Sequence, residues 1–309
     1  MSLASGVVVL GSLNADLTIK TSRLPLAGET VAGHDFVTRP GGKGANQAVA
    51  AARLGGAVTL IGAVGDDAHG EMLVQAAGRD GIDTDSIVRI PDVPTGVAVI
   101  EVDANGENSI VVFPGANGQL APHHVELEAD RLAAAAVVCL CLESPLETVT
   151  AAARRGHRAG TTVVFNLSPY LEVPEGLLAD VDLLLVNEHE AAQLLGSTDP
   201  TLDWAAAVRG FISLGVRDVV VTLGARGSMV IQDVLGTLPV LTPIPAVPTE
   251  AVDTTGCGDA FTGALADSLA RGVGLVAAAR RAAVVASMAA AAEGAQDSYP
   301  TLSQVRAHV

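Results

Sequence analysis

Residues 253–259, Asp-Thr-Thr-Gly-Cys-Gly-Asp, combine the groups that stabilise and move charge during a group transfer. Gly256, Cys257 and Gly258 lead into a predicted helix, where successive backbone N–H groups can bind the developing charge of a phosphoryl group. Asp259 lies just inside that helix and is placed to accept a proton from a substrate hydroxyl. An acidic residue in a first helical turn is also an ordinary partner of the helix dipole, but that explanation leaves the destabilising glycines without a reason.

A second glycine-rich segment, Arg-Pro-Gly-Gly-Lys-Gly-Ala-Asn-Gln at 39–47, opens another predicted helix. Three glycines in four positions let a ligand approach the backbone closely, and the helix N-terminus adds a positive field. The spacing is not that of a Walker A loop. The chain has 16 arginines but only two lysines, Lys20 and Lys43, so Lys43 indicates that a compact ammonium group is needed in this loop. A glycine-rich turn between a strand and a helix is the alternative.

Short polar side chains follow the first predicted strand, residues 6–11. Asn14 and Asp16 are two residues apart and face the same way along an extended chain. An amide and a carboxylate can bind a hydroxyl-rich ligand, because together they offer hydrogen-bond donors and several acceptors. A turn capped by these two side chains is the alternative. The glycine fingerprint of dinucleotide-binding folds is absent at Gly11, which argues against a dehydrogenase.

Two further segments follow predicted strands at the ends where open α/β sheets bind ligands. Asn187 and Glu190 lie three residues apart at a helix start, where they can orient a hydrated Mg²⁺ ion near phosphates. A capping box between the two side chains explains the same spacing. Thr-Leu-Gly-Ala-Arg-Gly at 222–227 either binds a nucleotide or only turns the chain.

The composition excludes several classes of protein. The chain carries 18 basic and 34 acidic residues, a net charge of −16, and lacks the basic stripe that nucleic-acid binding requires. A hydrophobic fraction of 49% excludes disorder. The longest apolar run, Leu132–Leu142, is too short to span a bilayer, and the N-terminus has no basic signal region. We therefore expect a cytoplasmic protein with no membrane partner, and Cys139 and Cys141 in that run are predicted to be buried thiols.

Predicted strands and helices alternate over most of the chain. The strands are predicted at 6–11, 57–63, 135–142, 161–166, 183–186 and 218–223, and the helices at 45–54, 70–80, 147–159, 189–195, 204–214, 258–271 and 275–293. This alternation is typical of an α/β fold with an open, mostly parallel sheet flanked by helices. Runs at 95–103 and 109–113, around Asn105-Gly106, predict a hairpin in a separate small sheet, and runs at 229–232 and 237–241 predict a second hairpin.

Together these segments resemble the ribokinase branch of the PfkB-type carbohydrate kinases. The resemblance runs in order through residues 11–16, 41–47, 143–147, 187–190, 222–227, 253–259 and 294–298. It implies a single ribokinase-like domain over 1–309, with a β-sheet lid from about 14–40 and 95–113. Ala98, Ile100 and Val112 alternate along that lid and are expected on its ligand-facing side. Lids of this family pair between subunits, which implies a homodimer.

The activity that the resemblance implies is ATP-dependent phosphorylation of D-ribose at its 5-hydroxyl, giving ribose 5-phosphate and ADP. Asp259 is then the base, and Gly256, Cys257 and Gly258 form the anion hole. The residues implied to hold the sugar are Asn14, Asp16, Gly42, Lys43, Asn46 and Glu143, with Asp259. The residues implied to contact ATP are Asn187, Thr222, Gly224, Gly227 and Gly258, and Glu190 with Asn187 helps to place Mg²⁺ through water.

The family also uses a monovalent cation, usually K⁺, in a loop beside the anion hole. The matching positions are Asp253, Thr255, Ala289, Ala292, Gly294 and Ser298. Together with Mg²⁺, such a cation meets the charge of ATP locally, so the rest of the surface can stay acidic. Cys257 departs from the family's usual small residue, and the resemblance does not say whether this thiol makes the activity sensitive to thiol reagents.

Two alternatives to this activity remain open from the sequence. A deoxyribose, another pentose or a nucleoside as substrate would differ from ribose in hydroxyls whose contacts the sequence does not fix. A catalytically silent binding protein on the same fold is expected to lack Asp259 or a glycine of the anion hole, and this chain has both.

Overall fold

The computed structural model describes residues 6–174, 176–236 and 238–308. The strands are β1 (Val7–Leu10), β2 (Asn14–Thr21), β3 (Gly33–Gly41), β4 (Val58–Gly65), β5 (Ile87–Ile90), β6 (Gly96–Val102), β7 (Asn108–Phe113), β8 (Val137–Cys141), β9 (Thr162–Asn166), β10 (Leu183–Asn187), β11 (Asp218–Thr222), β12 (Ser228–Gln232) and β13 (Val240–Ile244). The helices are α1 (Lys43–Arg53), α2 (Ala68–Arg79), α3 (Pro122–Leu127), α4 (Ala129–Ala134), α5 (Leu146–Ala159), α6 (Glu188–Leu194), α7 (Trp204–Ser213), α8 (Cys257–Ala270), α9 (Leu275–Ala290) and α10 (Leu302–His308).

Within the described residues, nine strands form a large sheet in the order β13-β12-β11-β10-β9-β8-β1-β4-β5. The strands from β11 to β5 in this order are parallel, and β12 and β13 add an antiparallel edge. The central strands β1 and β8 are fully buried apolar runs, as helices on both faces of a parallel sheet require. The prediction of an open, mostly parallel sheet flanked by helices is confirmed.

The chain order of this sheet reverses between β1 and β8, since β4 and β5 extend it one way and β9 to β11 the other. Open α/β sheets bind ligands at the carboxyl ends of the strands at such a reversal. Helices α1 and α8 pack closely above this point. A Cβ added at Gly263 of α8 would lie 2.3 Å from the backbone oxygen of Gln47 in α1, so a glycine is needed for the approach. The N-terminal turns of both helices are thereby brought to the reversal point.

A second, four-stranded sheet has the order β3-β2-β6-β7. Strands β6 and β7 form the hairpin that Asn105-Gly106 predicts, and Gly106 has a φ of 83°. The register pairs Asp16 with Ala98 and Ala98 with Val112, so these three side chains share one face of the small sheet. The sequence-based prediction of a separate small β-sheet is therefore confirmed.

Some details differ from the sequence-based expectations. Asn14 and Asp16 begin strand β2, so the turn alternative for these residues is wrong. Helix α9 ends at Ala290 rather than at 293, because the Ala290 carbonyl accepts the N–H groups of Val252 and Asp253 from a neighbouring segment. No element was predicted for the segments that form β5, α3, α4 and α10.

The second predicted hairpin lies at the edge of the large sheet, where β12 pairs with β13. Strand β13 begins three residues later than the predicted 237–241 run, of which Thr237 lies outside the described residues.

Among the residues described, no helix has both the length and the apolar character that crossing a bilayer requires.

Candidate active site

Asp259 is held by amide groups of α1 in the first turn of α8. The Asp259 side chain is 6% exposed. Asn46 donates from Nδ2 to one of its carboxylate oxygens and Gln47 donates from Nε2 to the other, each at 3.0 Å. Gln296 in turn donates to Oδ1 of Asn46 at 3.0 Å, and the Cys139 thiol donates to Oε1 of Gln47 at 3.4 Å. This chain of hydrogen bonds fixes the orientation of the Asp259 carboxylate.

The environment of Asp259 makes its carboxylate more basic than an ordinary aspartate. Burial raises the pKa of Asp259, although the nearby Lys43 ammonium and the hydrogen bonds from Asn46 and Gln47 lower it. In return, the Asp259 carboxylate raises the pKa of Lys43 against the effect of burial. A buried carboxylate with a raised pKa beside an ammonium group is suited to accept a proton.

Glu143 follows β8 and faces the start of α1. Its Oε2 accepts a hydrogen bond from the Ser12 hydroxyl at 2.6 Å and one from the backbone N–H of Lys43 at 3.0 Å. The Lys43 ammonium lies 4.0 Å from Oε1 of the same carboxylate. The segment at 39–47 therefore forms the turn between a strand and a helix that the sequence offered as an alternative, and it places Lys43 beside Glu143. Gly42, the N-cap of α1, has a φ of 89° and fits against the backbone of residues 12–14.

Asn14 and Asp16 come to the same place from β2. Asn117 donates to Oδ1 of Asn14 at 2.8 Å, and it also bonds both the N–H and the carbonyl of Leu13. Burial, followed by the charges of Glu143 and Asp259, raises the pKa of Asp16 to about 7, while Lys43 lowers it. The charges of Glu143, Asp259 and Lys43 all act on Asp16, so these four side chains form one electrostatically coupled cluster.

The loop before α8 has the backbone form of a helix N-terminus. Gly256 is its N-cap with a φ of 73°, and its carbonyl accepts a hydrogen bond from the Tyr299 hydroxyl at 2.9 Å. The N–H of Cys257 donates to the Thr254 carbonyl at 3.2 Å. Within the described part of the chain, the N–H groups of Gly256 and Gly258 have no acceptor. These two groups are available to an anion, whereas the Cys257 N–H is engaged.

A cavity of about 750 Å³ lies beside this loop. Its lining includes residues implied to contact the nucleotide, namely Asn187, Thr222, Gly224, Gly227 and Gly258. Phe261, Ala283 and Ala286 add apolar surface. Ser228 also lines it, and its buried hydroxyl has no hydrogen-bond partner among the described residues. An unsatisfied hydroxyl at a cavity wall is a ready contact for a polar ligand.

Asn187 and Glu190 form the capping box that the sequence offered as an alternative. Oδ1 of Asn187 accepts the Glu190 N–H, and Oε2 of Glu190 accepts the Asn187 N–H, both at 2.8 Å. The Glu190 side chain is buried, and its charge contributes to the raised pKa of Lys43. Oε1 of Glu190 has no hydrogen-bond donor in the described residues, so capping leaves this oxygen free.

Asp253 links the loop before α8 to the segment after α9. Its Oδ1 accepts the N–H of Thr255 at 2.8 Å, and its Oδ2 accepts the N–H of Gly294 at 2.9 Å. Partial burial raises the pKa of Asp253, but these hydrogen bonds outweigh it and hold the pKa below its ordinary value. Nearby, the buried Ser298 hydroxyl donates to the Ala295 carbonyl, so its oxygen remains able to bind a cation. No cluster of three or more acidic, His or Cys side chains suited to a metal occurs among the described residues.

The three cysteines are free thiols. Cys139 and Cys141 are completely buried, as predicted. Cys257 is partly exposed at the cavity, and burial raises its pKa to about 11. The thiolate is the reactive form of cysteine, so Cys257 is a poor nucleophile near neutral pH.

Several residues that shape the site escaped the sequence analysis. Gln47, Asn117, Tyr299 and Gln296 position the residues that it identified, through the hydrogen bonds described above. Gln47 was quoted only as the last residue of the 39–47 segment. The signal that would have found it is its place beside Asn46 at a helix start, since both amides face the same carboxylate.

Known proteins are similar to this chain over nearly its whole length. Residues 4–302 match the sequence profile of the pfkB family carbohydrate kinases. A ribokinase of Schizosaccharomyces pombe is 37% identical, with 97% of this chain and 96% of the relative covered. A deoxyribokinase of Salmonella typhimurium is 35% identical, with 96% of both chains covered.

A solved structure agrees with these sequence relatives. The Arabidopsis thaliana ribokinase complexed with ribose and ATP has a TM-score of 0.90 and 34% identity, covering 99% of this chain and 98% of that one. The resemblance found in the sequence motifs is thus confirmed over the whole chain, and the chain belongs to the pfkB family of carbohydrate kinases.

Proposed function

We propose that this protein is a ribokinase: it transfers the γ-phosphoryl group of ATP to the 5-hydroxyl of D-ribose. The single observation that carries the proposal is the buried Asp259 carboxylate, aligned by Asn46 and Gln47 beside Lys43 and next to a nucleotide-sized cavity. Ribokinase relatives, one of them solved with ribose and ATP, support the choice of substrates.

In the proposed reaction, Asp259 accepts the proton of the 5-hydroxyl. The ribose oxygen forms a bond to the γ-phosphorus while the bond from that phosphorus to the β,γ-bridging oxygen breaks, and ADP leaves with the electron pair. The free N–H groups of Gly256 and Gly258 stabilise the charge on the transferring group. Because the Cys257 N–H is engaged with Thr254, it joins this anion hole only if that bond opens.

The sugar contacts are assigned to the cluster at the sheet reversal. Carboxylates and amides bind hydroxyl groups with directional hydrogen bonds, and the Lys43 ammonium supplies further donors. The residues proposed to hold ribose are Asn14, Asp16, Gly42, Lys43, Asn46 and Glu143, with Asp259 at the reacting hydroxyl. The nearby small sheet, through its face with Asp16, Ala98 and Val112, covers the sugar as a lid.

The cavity beside Gly258 suits a nucleotide in size and lining. A volume of about 750 Å³ is within the range of ligand pockets, and apolar surface from Phe261 and Ala286 can contact a base. Asn187, Thr222, Gly224, Gly227 and Gly258 are proposed as ATP contacts. Glu190 fits a role toward Mg²⁺, because its Oε1 is free and an acidic group can hold the ion's water molecules. Bound Mg²⁺ supplies charge neutralisation on the phosphates.

The loop of Asp253 and Thr255 fits a monovalent cation. Carbonyl oxygens, a hydroxyl and one ionised carboxylate suit K⁺ better than a transition metal, and the Asp253 carboxylate joins this loop to the segment of Gly294. The residues proposed to hold it are Asp253, Thr255, Ala289, Ala292, Gly294 and Ser298. A bound cation supplies positive field beside the anion hole.

Replacing K⁺ by tetramethylammonium is therefore expected to lower kcat several-fold, because the large cation cannot enter the loop. Steady-state ADP release in matched chloride salts measures this effect. An Asp253→Asn variant that folds normally should lose most of the difference between the two salts. Equal wild-type rates in both salts would remove the cation from the proposal.

The pKa of Asp16 predicts how sugar binding depends on pH. The carboxylate is ionised above pH 7 and accepts hydroxyl hydrogen bonds in that form, so protonation below pH 7 weakens ribose binding. We expect the KM for ribose to rise by up to about tenfold per pH unit below 7, with little change in the KM for ATP. Protonation of Asp259 is expected to lower kcat instead, so the KM for ribose and kcat report on the two carboxylates separately. A ribose KM that stays flat from pH 8 to pH 6 would refute this assignment.

We also propose a homodimer through the lid. On the face opposite Asp16, the small sheet exposes Phe36, Val111 and Phe113, which are 61%, 68% and 51% accessible. A second copy would cover these side chains. Light scattering after gel filtration is expected to give twice the chain mass, and Val111→Asp to give the mass of one chain. A monomeric wild-type protein at micromolar concentration would contradict the dimer.

The choice between ribose and 2-deoxyribose needs an experiment, since both kinds of kinase occur among the relatives. ADP release should be measured with Mg-ATP and a panel of D-ribose, 2-deoxy-D-ribose, other pentoses and nucleosides. The proposal predicts the highest kcat/KM for ribose. A higher value for another acceptor would keep the mechanism and change the substrate, and no turnover with any acceptor would favour the silent binding protein.

A further inference from the structure

A second cavity, of about 540 Å³, lies at the other end of helix α8 from Asp259. It is formed by the turn after α8, the middle of α9 and the last helix α10. Four arginines line it: Arg271, Arg280, Arg281 and Arg306. None of these residues takes part in the site described above. We call this space the arginine cavity.

Two of these arginines have structural partners. Asp267, which is 1% exposed, lies 2.8 Å from Arg271 and 2.7 Å from Arg281. Arg271 also approaches the Leu54 carbonyl, and Arg281 donates to the Ser268 hydroxyl at 2.9 Å. These contacts fix both guanidinium groups at the cavity wall. Among the described residues, Asp267 is the only acidic residue that forms an ion pair with any of the four arginines.

The other two arginines form no ion pair within the described residues. Arg280 on α9 and Arg306 on α10 are exposed, and neither has a carboxylate or carbonyl partner in the described part of the chain. Arginines near a helix C-terminus interact favourably with its dipole, which accounts for Arg271 at the end of α8 and contributes at Arg306 in the last turn of α10, but not at Arg280 within α9. Four guanidinium groups therefore face one carboxylate, in a chain whose net charge is −16.

The floor of the arginine cavity is apolar. Val273, Val284, Leu302 and Val305 line it between the charged groups, and Val305 is 4% exposed. Cavities that combine an apolar floor with a few convergent polar groups are typical of small-molecule sites, and this volume is within their range. Guanidinium groups bind phosphates through paired N–H donors, and an excess of about three positive charges matches a dianion.

We propose that the arginine cavity is a second ligand site, which binds a small phosphate monoester with an apolar body. Arg280 and Arg306 bind the phosphate, and Arg271 and Arg281 add positive field from their fixed positions. The apolar body contacts the floor formed by α9 and α10. The proposal does not depend on the ribokinase activity.

Phenyl phosphate is a suitable probe, because it has a dianionic phosphate and an apolar ring. Isothermal titration should be performed on the full chain with saturating Mg²⁺, ribose and a non-hydrolysable ATP analogue, so that the catalytic site is filled. We expect saturable binding to the wild type that weakens with added salt. Phenol, which lacks the phosphate, is expected to bind far more weakly.

The variants that test the site remove only the unpaired arginines. Arg280→Gln together with Arg306→Gln is expected to weaken phenyl phosphate binding about tenfold or more, with an unchanged melting temperature. The matched control is Arg158→Gln with Arg209→Gln, which removes two exposed arginines from other helices and changes the net charge equally. It is expected to leave the affinity unchanged.

Three results would overturn the proposal. The first is no binding to the filled wild type, and the second is equal binding of phenol and phenyl phosphate. The third is the same loss of affinity in both double variants, which would indicate a general charge effect.

Discussion

Replacing Asp259 by asparagine is expected to lower kcat by about three orders of magnitude, while ribose and ATP still bind. General bases contribute roughly 10²- to 10⁴-fold to enzymatic rates, and an asparagine amide cannot accept the hydroxyl proton. The Asp259 carboxylate is buried, has a raised pKa and is aligned by two amide donors. An asparagine retains the shape of the side chain, so the sugar and nucleotide contacts elsewhere in the site persist.

The measurement needs both a rate and a binding constant. ADP release gives kcat, and titration calorimetry gives the dissociation constants of ribose and of the ATP analogue. Asp66→Asn is the matched control, because Asp66 is exposed and lies outside the site. The variant melting temperature checks the fold. If Asp259→Asn keeps kcat within tenfold of the wild type, Asp259 is not the base.

Replacing Gly258 by alanine is expected to separate stability from activity. A Cβ added at Gly258 meets no atom within 4 Å apart from its chain neighbours and the backbone of its own helix, and Gly258 lies in the first turn of α8. Alanine favours helices over glycine by up to about 1 kcal/mol, so the variant should unfold at the same or a higher temperature. The added methyl group lies at the wall of the proposed nucleotide cavity, beside the proposed anion hole. We therefore expect kcat/KM for ATP to fall by about tenfold or more, since a misplaced phosphate weakens transition-state binding.

Gly78→Ala in α2 is the matched control for this variant. Gly78 also lies in a helix, and its added Cβ likewise meets nothing within 4 Å, but α2 is outside the site. This control should gain similar stability and keep full activity. Wild-type kinetics in Gly258→Ala would mean that no phosphate group of ATP comes close to residue 258.

The glycine loops and acidic residues of the site could be predicted because each is contained in a short segment. The 253–259 segment carries the proposed base and the helix start together, and 39–47 carries Lys43 and the turn before its helix. The same locality explains the capping box of Asn187 and Glu190, whose two contacts join residues three apart.

Contacts between distant segments could not be read in this way. Gln47 meets Asp259 across 212 positions of the chain, and Asn117 meets Asn14 across 103. Their places depend on how α1 packs against α8 and how the small sheet meets the large one. The arginine cavity has the same origin, because its walls come from three helices whose separate sequences indicate only exposed charges. Strand β3 was equally hard to delimit, since its mixed polar and apolar residues lack a clear alternation.

The central claim is that this site phosphorylates ribose at its 5-hydroxyl, and the position of the new phosphate tests it most directly. D-ribose should be incubated with the enzyme, Mg-ATP and K⁺, and the product analysed by proton–phosphorus correlation spectroscopy. The account predicts a phosphorus signal coupled to the protons on C5, with one ADP formed for each sugar phosphorylated. A phosphate coupled to the anomeric proton, or ADP formed without any sugar phosphate, would contradict it.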